Sequence, residues 1–307
     1  MPLAAWGQKT NGSEVVKHLA AHIKGKTVLI TGASPGGLGA EMAKNIAPAD
    51  PALIILAGRS QQKLDDCVTD VKHANSAANV KTLILDLSSF KTVRESAREF
   101  QSWNVNLDVL VNNAGIMALP ERRLSADGYE LQLATNHLGH FLFTGLVKDR
   151  LKAGARIVNV SSLGHRNSPF RFDDPNFEQE GSYVPFTAYG QAKTANMLFS
   201  KGISLKWPFT SISLHPGAIW TNLVSNNMTD EQLESMGWKD RNSEKMKSIP
   251  WKNLDQGTAT HIVAAFDPDM QNHNGSYLDD CQVADEANKA YALDTASLLE
   301  FGTVSPC

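Results

Sequence analysis

Short apolar runs rich in β-branched residues recur along the chain at about 26-residue spacing, each closed by a turn or a polar residue. They are Thr27-Val28-Leu29-Ile30, Leu53-Ile54-Ile55-Leu56, Val80 to Leu85, Val109-Leu110-Val111, Ile157-Val158-Asn159-Val160, Ser211 to Leu214 and Ser276-Tyr277-Leu278. A strand apolar at every position, rather than at alternate ones, belongs in a sheet covered on both faces. Helical patterns lie between the runs. In one, Phe90, Val93, Ala97 and Phe100 share a face, and Ser88 and Ser89 stand where a cap is needed. Strands alternating with helices predict right-handed βαβ crossovers. The expected fold is therefore α/β: a Rossmann-type, doubly wound parallel sheet of about seven strands with helices on both faces.

No composition break follows residue 25, so residues 26–307 are expected to form a single domain and residues 1–25 an N-terminal extension. The amphipathic stretch Glu14 to Ile23 is expected to pack on the body. Residues 222–256 break the strand–helix rhythm. They are polar overall but carry Met228, Leu233, Met236, Trp238, Met246 and Trp251. Such an insertion is either a lid or a surface excursion. Because it follows the carboxyl end of a strand, where open α/β sheets hold their ligands, a substrate-side lid is the favoured reading.

Composition narrows the function classes. Of 307 residues, 42% are hydrophobic and 20% charged, a globular balance. Net charge is −3, from 29 basic and 32 acidic residues, which offers no footprint for nucleic acid. No uninterrupted apolar run approaches the roughly 18 residues of a membrane span. The start, Met1 to Gly7, lacks the apolar core and cleavage site of a secretory signal. Cys67, Cys281 and Cys307 form no close pair, so a reducing, cytoplasmic setting is expected. His18/His22 and His137/His140 have helical spacing, but no carboxylate or cysteine completes either set, and no metal site is expected.

The first strand runs directly into Thr31-Gly32-Ala33-Ser34-Pro35-Gly36-Gly37-Leu38-Gly39 and then into a helical pattern. Glycines in that place let the backbone turn tightly and approach a diphosphate, while the helix N-terminus offers free N–H groups. At the end of the second strand stands Arg59, where an acidic residue would repel a ribose 2′-phosphate. A guanidinium there suits that phosphate, which points to NADP(H) over NAD(H). In Tyr189-Gly190-Gln191-Ala192-Lys193 a helix brings tyrosine and lysine one turn apart. A phenol of pKa about 10 is a poor acid or base near neutrality, and an adjacent ammonium favours the phenolate. Ser161-Ser162 closes a strand and could hold a substrate oxygen near that tyrosine. No Gly-x-Ser-x-Gly elbow surrounds either serine, which argues against a serine hydrolase.

Thr31 to Gly39, Asn112-Asn113-Ala114-Gly115, Ser162, Tyr189/Lys193 and His215-Pro216-Gly217, in this order, resemble the short-chain dehydrogenase/reductase superfamily. The likeness covers roughly residues 25 to 285. Asn136-His137-Leu138-Gly139-His140-Phe141 and Gly275-Ser276-Tyr277-Leu278 resemble its retinol dehydrogenase-like branch, as does the long gap between Ser162 and Tyr189. The resemblance implies a catalytic set of Asn136, Ser162, Tyr189 and Lys193. Tyr189 would be acid in reduction and base in oxidation, Lys193 would lower its pKa and hold the nicotinamide ribose, and Ser162 would orient the carbonyl. Asn136 would support a water-linked proton relay to Lys193. For the cofactor it implies Gly32, Ser34, Gly37 and Leu38 at the phosphates and Asp86, with Leu87 beside it, at the adenine. Asn113, Ala114 and Gly115 would line the adenosine side, and Pro216, Gly217, Ile219 and Thr221 the nicotinamide end. The phosphate loop carries one residue more than the family pattern, so either Gly36 or Gly37 takes the middle role.

A small-molecule carbonyl or alcohol is then the expected partner, in a homodimer or homotetramer as is common in the family. Two alternatives keep the cofactor: a redox sensor, or a reductase or dehydratase acting on an activated C=C bond. Phe170, Phe172, Phe177, Phe186, Trp220, Trp238 and Trp251 either line a large pocket for a retinoid-, steroid- or polyketide-like substrate or pack the insertions onto the body. His165 and Arg166 either meet a polar substituent or are solvated.

Overall fold

A computed structural model of the chain describes residues 6–225, 228–235, 237–240 and 244–284. Met236 and Cys307, named above, lie outside the described residues, as do residues 1–5 and 285–307 of the segments delimited from the sequence.

The strands are β1 (Thr27–Thr31), β2 (Leu53–Gly58), β3 (Val80–Ile84), β4 (Leu107–Asn112), β5 (Leu151–Val160), β6 (Thr210–His215), β7 (Tyr277–Asp279) and β8 (Gln282–Val283). They form one sheet in the order β3-β2-β1-β4-β5-β6-β7-β8, parallel through β7. The seven anticipated runs are thus the seven parallel strands. The eighth pairs antiparallel to β7 through a tight turn at Asp280 and Cys281, whose φ values are 48° and 65°. Left-handed backbone at two non-glycine residues announces no hairpin in a sequence, which is why this strand was not anticipated.

The helices are α1 (Gly12–Ile23), α2 (Leu38–Ile46), α3 (Gln61–Ala74), α4 (Phe90–Ser102), α5 (Leu131–Leu133), α6 (Gly139–Val147), α7 (Pro185–Lys206), α8 (Asn222–Ser225), α9 (Asp230–Ser235) and α10 (Leu254–Phe266). Alternation along β1 shows why the strands are apolar throughout. Val28 and Ile30 enter one core with Met42 of α2, Leu64 of α3 and Ile262 of α10, while Leu29 enters another with Val93 of α4, Phe143 of α6 and Ile203 of α7. At α4 the Ser89 hydroxyl accepts from Thr92 N, and Val93, Ala97 and Phe100 form the buried face. The amphipathic N-terminal stretch is α1, with Val15, Val16, Leu19 and Ile23 buried in the first core. Ser13 ties it to α10, donating from N and Oγ to the Asp255 carboxylate at 2.8 and 2.7 Å.

Strand order reverses between β1 and β4, each of which sends its chain to a different side of the sheet. Their carboxyl ends therefore open a crevice, the usual ligand position in this architecture.

Candidate active site

Gly32 leaves β1 with φ +73°, and a Cβ there would fall 2.6 Å from Ala114 Cα, so the chain after β4 can press against this turn only because the residue is glycine. The extra loop residue is absorbed just beyond. Gly37 N donates to Ser34 O at 2.9 Å around the pair Pro35-Gly36, with Gly36 at φ +73°. Proline then glycine at the two central positions is the composition of a type II turn. Gly37 becomes the N-cap of α2 without a side-chain cap, so the first N–H groups of that helix have no acceptor from their own cap.

A cleft of about 1280 Å³ opens above these ends. Gly32, Ser34, Gly37, Leu38, Arg59, Leu87, Asn113, Ala114, Gly115, Ser162, Tyr189, Lys193, Pro216, Gly217, Ile219 and Thr221 all line it. Two anticipated residues do not. Leu85 and Leu87 form the wall on either side of Asp86, whose carboxylate is turned into the approach to α4, where it accepts from Ser88 N and Oγ at 3.0 and 2.7 Å. Asn136 lies fully buried behind the wall. Residues not anticipated also line the cleft. Lys63, in the first turn of α3, stands with exposed Arg59 and half-buried Ser60 at one end. At another part of the wall are Gln8, Asp279, Asp280 and Lys252, whose ammonium pairs with Asp280 at 2.5 Å. These come from segments far apart in the chain, and no local pattern marks them.

Tyr189 and Lys193 are both buried on α7. The Ser162 hydroxyl hydrogen-bonds the tyrosine oxygen and accepts from Gly164 N at 3.0 Å. Gly164 underlies the tyrosine ring, since a Cβ there would fall 2.7 Å from Cε1. Lys193 Nζ sits 5.5 Å from the ring centroid and donates to the Val160 carbonyl at 2.9 Å. One expectation is corrected here. Burial pushes the Tyr189 phenol up to about 12, with the Ser162 hydrogen bond pulling the other way, rather than down toward neutrality. Burial likewise brings Lys193 down to about 8.

Behind these residues lies a closed hydrogen-bond network. The helix entering α6 widens over Ala134–Leu138 into a π-type turn, in which Gly139 N reaches the Ala134 carbonyl. Its Asn136 side chain brackets Ile116, accepting from Ile116 N at 2.8 Å and donating to Ile116 O at 2.9 Å. The Asn136 carbonyl receives His140 Nδ1 and Asn196 Nδ2, both at 3.1 Å. A carbonyl cannot donate, so His140 carries its proton on Nδ1 and its Nε2 accepts. At Nε2, 2.8 Å away, is Thr31 Oγ1, which already accepts from Asn113 N and Ala114 N and so has its own proton to give. The chain Thr31–His140–Asn136–Asn196 thus links the end of β1 to α7 with one defined tautomer. Burial holds His140 down at about 3, hence neutral. Every polar atom of Asn136 named here already has a protein partner, which makes this residue a brace in the structure.

At the other end Met117, Phe186, Leu223, Val224, Trp238, Ile249 and Pro250 make an apolar wall. Of the aromatics in question, Phe186 and Trp238 reach it. Trp220 and Trp251 pack on each other at 5.4 Å, and Trp251 meets Trp238 at 5.8 Å. Phe170 and Phe172 pair at 4.9 Å outside the cleft, and Phe177 is buried beneath Arg171. Arg166 is exposed, but His165 is neither solvated nor turned to a ligand: it is buried, donating Nδ1–H to the Ser162 carbonyl at 2.6 Å. Among the described residues no group of three His, Cys, Asp or Glu side chains is placed to hold a metal ion. No helix among them is long and apolar enough to cross a membrane.

The family model described as short chain dehydrogenase matches residues 26–173. A Streptomyces lividans protein named "Probable oxidoreductase" is 40% identical over 85% of this chain and 87% of its own. The short-chain dehydrogenase TIC 32 A, chloroplastic, of Brassica napus is 36% identical over 95% of this chain and 90% of its own. Among solved structures, NADPH-bound carbonyl reductase from chicken fatty liver superimposes with TM-score 0.60 at 18% identity, covering 85% of this chain and 99% of that one, a likeness of fold.

Proposed function

The chain belongs to the short-chain dehydrogenase/reductase superfamily, and from that premise we propose that it is an NADP(H)-dependent reductase of bulky apolar aldehydes or ketones, nearest in kind to the retinol dehydrogenase-like branch. Membership makes it an oxidoreductase with a nicotinamide cofactor and a small-molecule substrate. The observation that carries the finer reading is the polarity of one cleft: cationic at Arg59 and Lys63, apolar at Phe186, Trp238 and Ile249, with Tyr189 and Ser162 between.

The cleft fits such a cofactor. The uncapped start of α2 and the bare glycine surface at Gly32 and Gly37 leave N–H groups and space for a diphosphate, with Gly37 rather than Gly36 on the cleft side. Arg59 and Lys63 would meet the 2′-phosphate, Leu85 and Leu87 the adenine, and Asn113 to Gly115 the adenosine side. Pro216, Gly217, Ile219 and Thr221 would flank the nicotinamide. When bound, the cofactor supplies the hydride. This chain's own residues manage the oxygen and its proton. Ser162 donates a hydrogen bond to the carbonyl oxygen, and Tyr189 gives that oxygen its proton. The buried phenol is protonated throughout the neutral range, so the proton that the carbonyl oxygen takes is in place. The phenolate left behind is stabilised by the Lys193 ammonium, which is charged below about pH 8, and by the Ser162 hydroxyl once the product oxygen has left it. Asn136 holds Ile116 and the catalytic helix in register. Residues 222–256 close the substrate end as a lid. Cys67 and Cys281, free and buried, accord with a reducing compartment such as the cytoplasm.

Consumption of NADPH and of NADH over aldehydes and ketones graded by size tests this reading, with Arg59→Ala in parallel. We expect turnover that favours NADPH, rises with the apolar bulk of the substrate, and loses its cofactor preference in the variant. Turnover favouring NADH would overturn the role of Arg59 and Lys63. Tight NADPH binding without turnover would favour a sensor, and a product saturated at C=C would favour the ene-reductase chemistry.

A further inference from the structure

The segment ahead of β1 does more than pack. Residues 7–10 form a turn closed by Thr10 N to Gly7 O at 3.0 Å and by Gly7 N to Thr10 Oγ1 at 2.9 Å, which leaves Gln8 and Lys9 at its tip. Both sides of the tip are pinned. Gln282 of β8 donates to the Trp6 carbonyl at 2.6 Å, and Gln256 in the first turn of α10 donates to the Lys9 carbonyl at 3.3 Å. The trailing residues are fastened too, Ser13 by Asp255 and Gly12 by close contact with Thr258. So held, Gln8 is half-buried and lines the cleft while Lys9 is exposed. Its position along the cleft follows from what holds it. Gly257, next to Gln256, is packed so closely on Leu38 that a Cβ would fall 2.7 Å from Leu38 Cδ2. Leu38 is the first residue of α2, beside the uncapped N–H groups of that helix.

We infer that the N-terminal segment completes the dinucleotide site: the Gly7–Thr10 turn is part of its wall, and Gln8 is a binding residue for the diphosphate, facing the start of α2. The inference rests on the proposed cofactor reading. A neutral amide suits the place, since it can donate to phosphate oxygens without adding charge beside the helix terminus.

Calorimetric titration of the full-length protein with NADPH, ADP-ribose and 2′-AMP tests it, alongside the thermal midpoint of each variant. Gln8→Glu is expected to raise Kd for NADPH and ADP-ribose about tenfold, the equivalent of about 1.4 kcal/mol. It should leave 2′-AMP, which has no diphosphate, within about twofold, with an unchanged midpoint. Lys9→Glu, one residue along but outside the cleft wall, should bind all three as the parent does. Parental affinities in Gln8→Glu, equal weakening of all three ligands with a lowered midpoint, or the same loss in Lys9→Glu would each overturn the inference. A parent protein that binds neither NADPH nor ADP-ribose would instead remove the cofactor reading, and this inference with it.

Discussion

The floor of the cleft and the insertion that walls its far end are built on opposite principles. The floor is assembled from strand ends and α7, and its side chains are held by buried hydrogen bonds between distant segments, such as Thr31 to His140, Asn136 to Ile116 and Lys193 to Val160. The described residues of the insertion form short helices, with isolated bridges from Lys239 to Lys245 and from Ile219 to Lys252. Its aromatics pack on one another, with Lys245 over Trp220 at 4.7 Å and the Trp220–Trp251–Trp238 stack, and its Val224, Met228 and Leu233 enter one apolar cluster with Met117, Ala118 and Tyr189. Hydrogen-bonded geometry of the first kind tolerates little change and suits a fixed reaction. Dispersion and burial of the second kind are non-directional, so the wall tolerates reshaping better than the floor does, although the two meet at Tyr189. On the proposed reading, reaction class and substrate choice are carried mainly by different parts of one cleft.

The largest effect that separates the two should come from Tyr189→Phe. Loss of a positioned proton donor is expected to lower kcat/KM about a thousandfold. Because the ring still packs on Gly164, the Kd for NADPH and the thermal midpoint should stay at parental values. A variant as active as the parent would mean that the proton comes from elsewhere and that the floor has been misassigned.

Acid should next distinguish floor from insertion. His137, His140, His215 and His261 are buried, and burial lowers them to about 4, 3, 3 and 4. All four folded values lie below the 6.5 of an ordinary histidine, so between those limits the unfolded chain holds more protons and stability falls as pH falls. Urea unfolding from pH 7.5 downward should show little change until about 6.5 and then a loss of at most about 1.4 kcal/mol per pH unit for each histidine. Residues 222–256 contain no histidine, so protease cleavage within them should not change over the pH range in which the protein stays folded. A stability curve flat to pH 5 would mean that these rings are solvated and the floor is open.

The same contrast governs how much could be read from the chain. The floor was legible because its strands are apolar on both faces and the side chains proposed for the chemistry sit at strand ends and at one helical repeat, Tyr189 to Lys193, all lining one cleft. What was missed there is a matter of hydrogen-bond partners, which spacing does not encode. Asp86 spends its carboxylate on Ser88, Asn136 on Ile116, and the phenol of Tyr189 is raised by burial that no sequence shows. Pro35-Gly36 looked like an ambiguity of loop length until the turn around it was seen. The insertion was legible as an interruption on the ligand side of the sheet, where its Leu223, Val224, Trp238, Ile249 and Pro250 line the cleft, but not in its detail. Which of its aromatics reach the cleft depends on a fold stabilised by side-chain packing with no regular period, and the answer, Trp238 but not Trp251, follows no pattern in the residues. Lys252 and Gln8 were silent for a related reason, since each joins the cleft wall through contacts with segments distant in sequence, Lys252 with Asp280 and the Gln8 turn with Gln256 and Gln282.

The smallest effect, and the most selective, should come from Trp238→Ala. Trp238 lines the apolar wall beside Ile249 and Pro250, and its ring lies edge-on to Trp251. Removing it takes apolar contact from a large substrate without touching Ser162, Tyr189 or the loop after β1. For a bulky apolar ketone, kcat/KM is expected to fall about tenfold, mostly through KM, the loss that about 1.4 kcal/mol of uniform binding entails. A two- or three-carbon aldehyde, too small to reach the wall, should be reduced as before, and NADPH should bind as before. Equal losses for large and small substrates would mean that the insertion supports the floor itself, and the division between reaction and selection would fail. No change for either would place the substrate on the Met117 and Phe186 side of the cleft, away from Trp238.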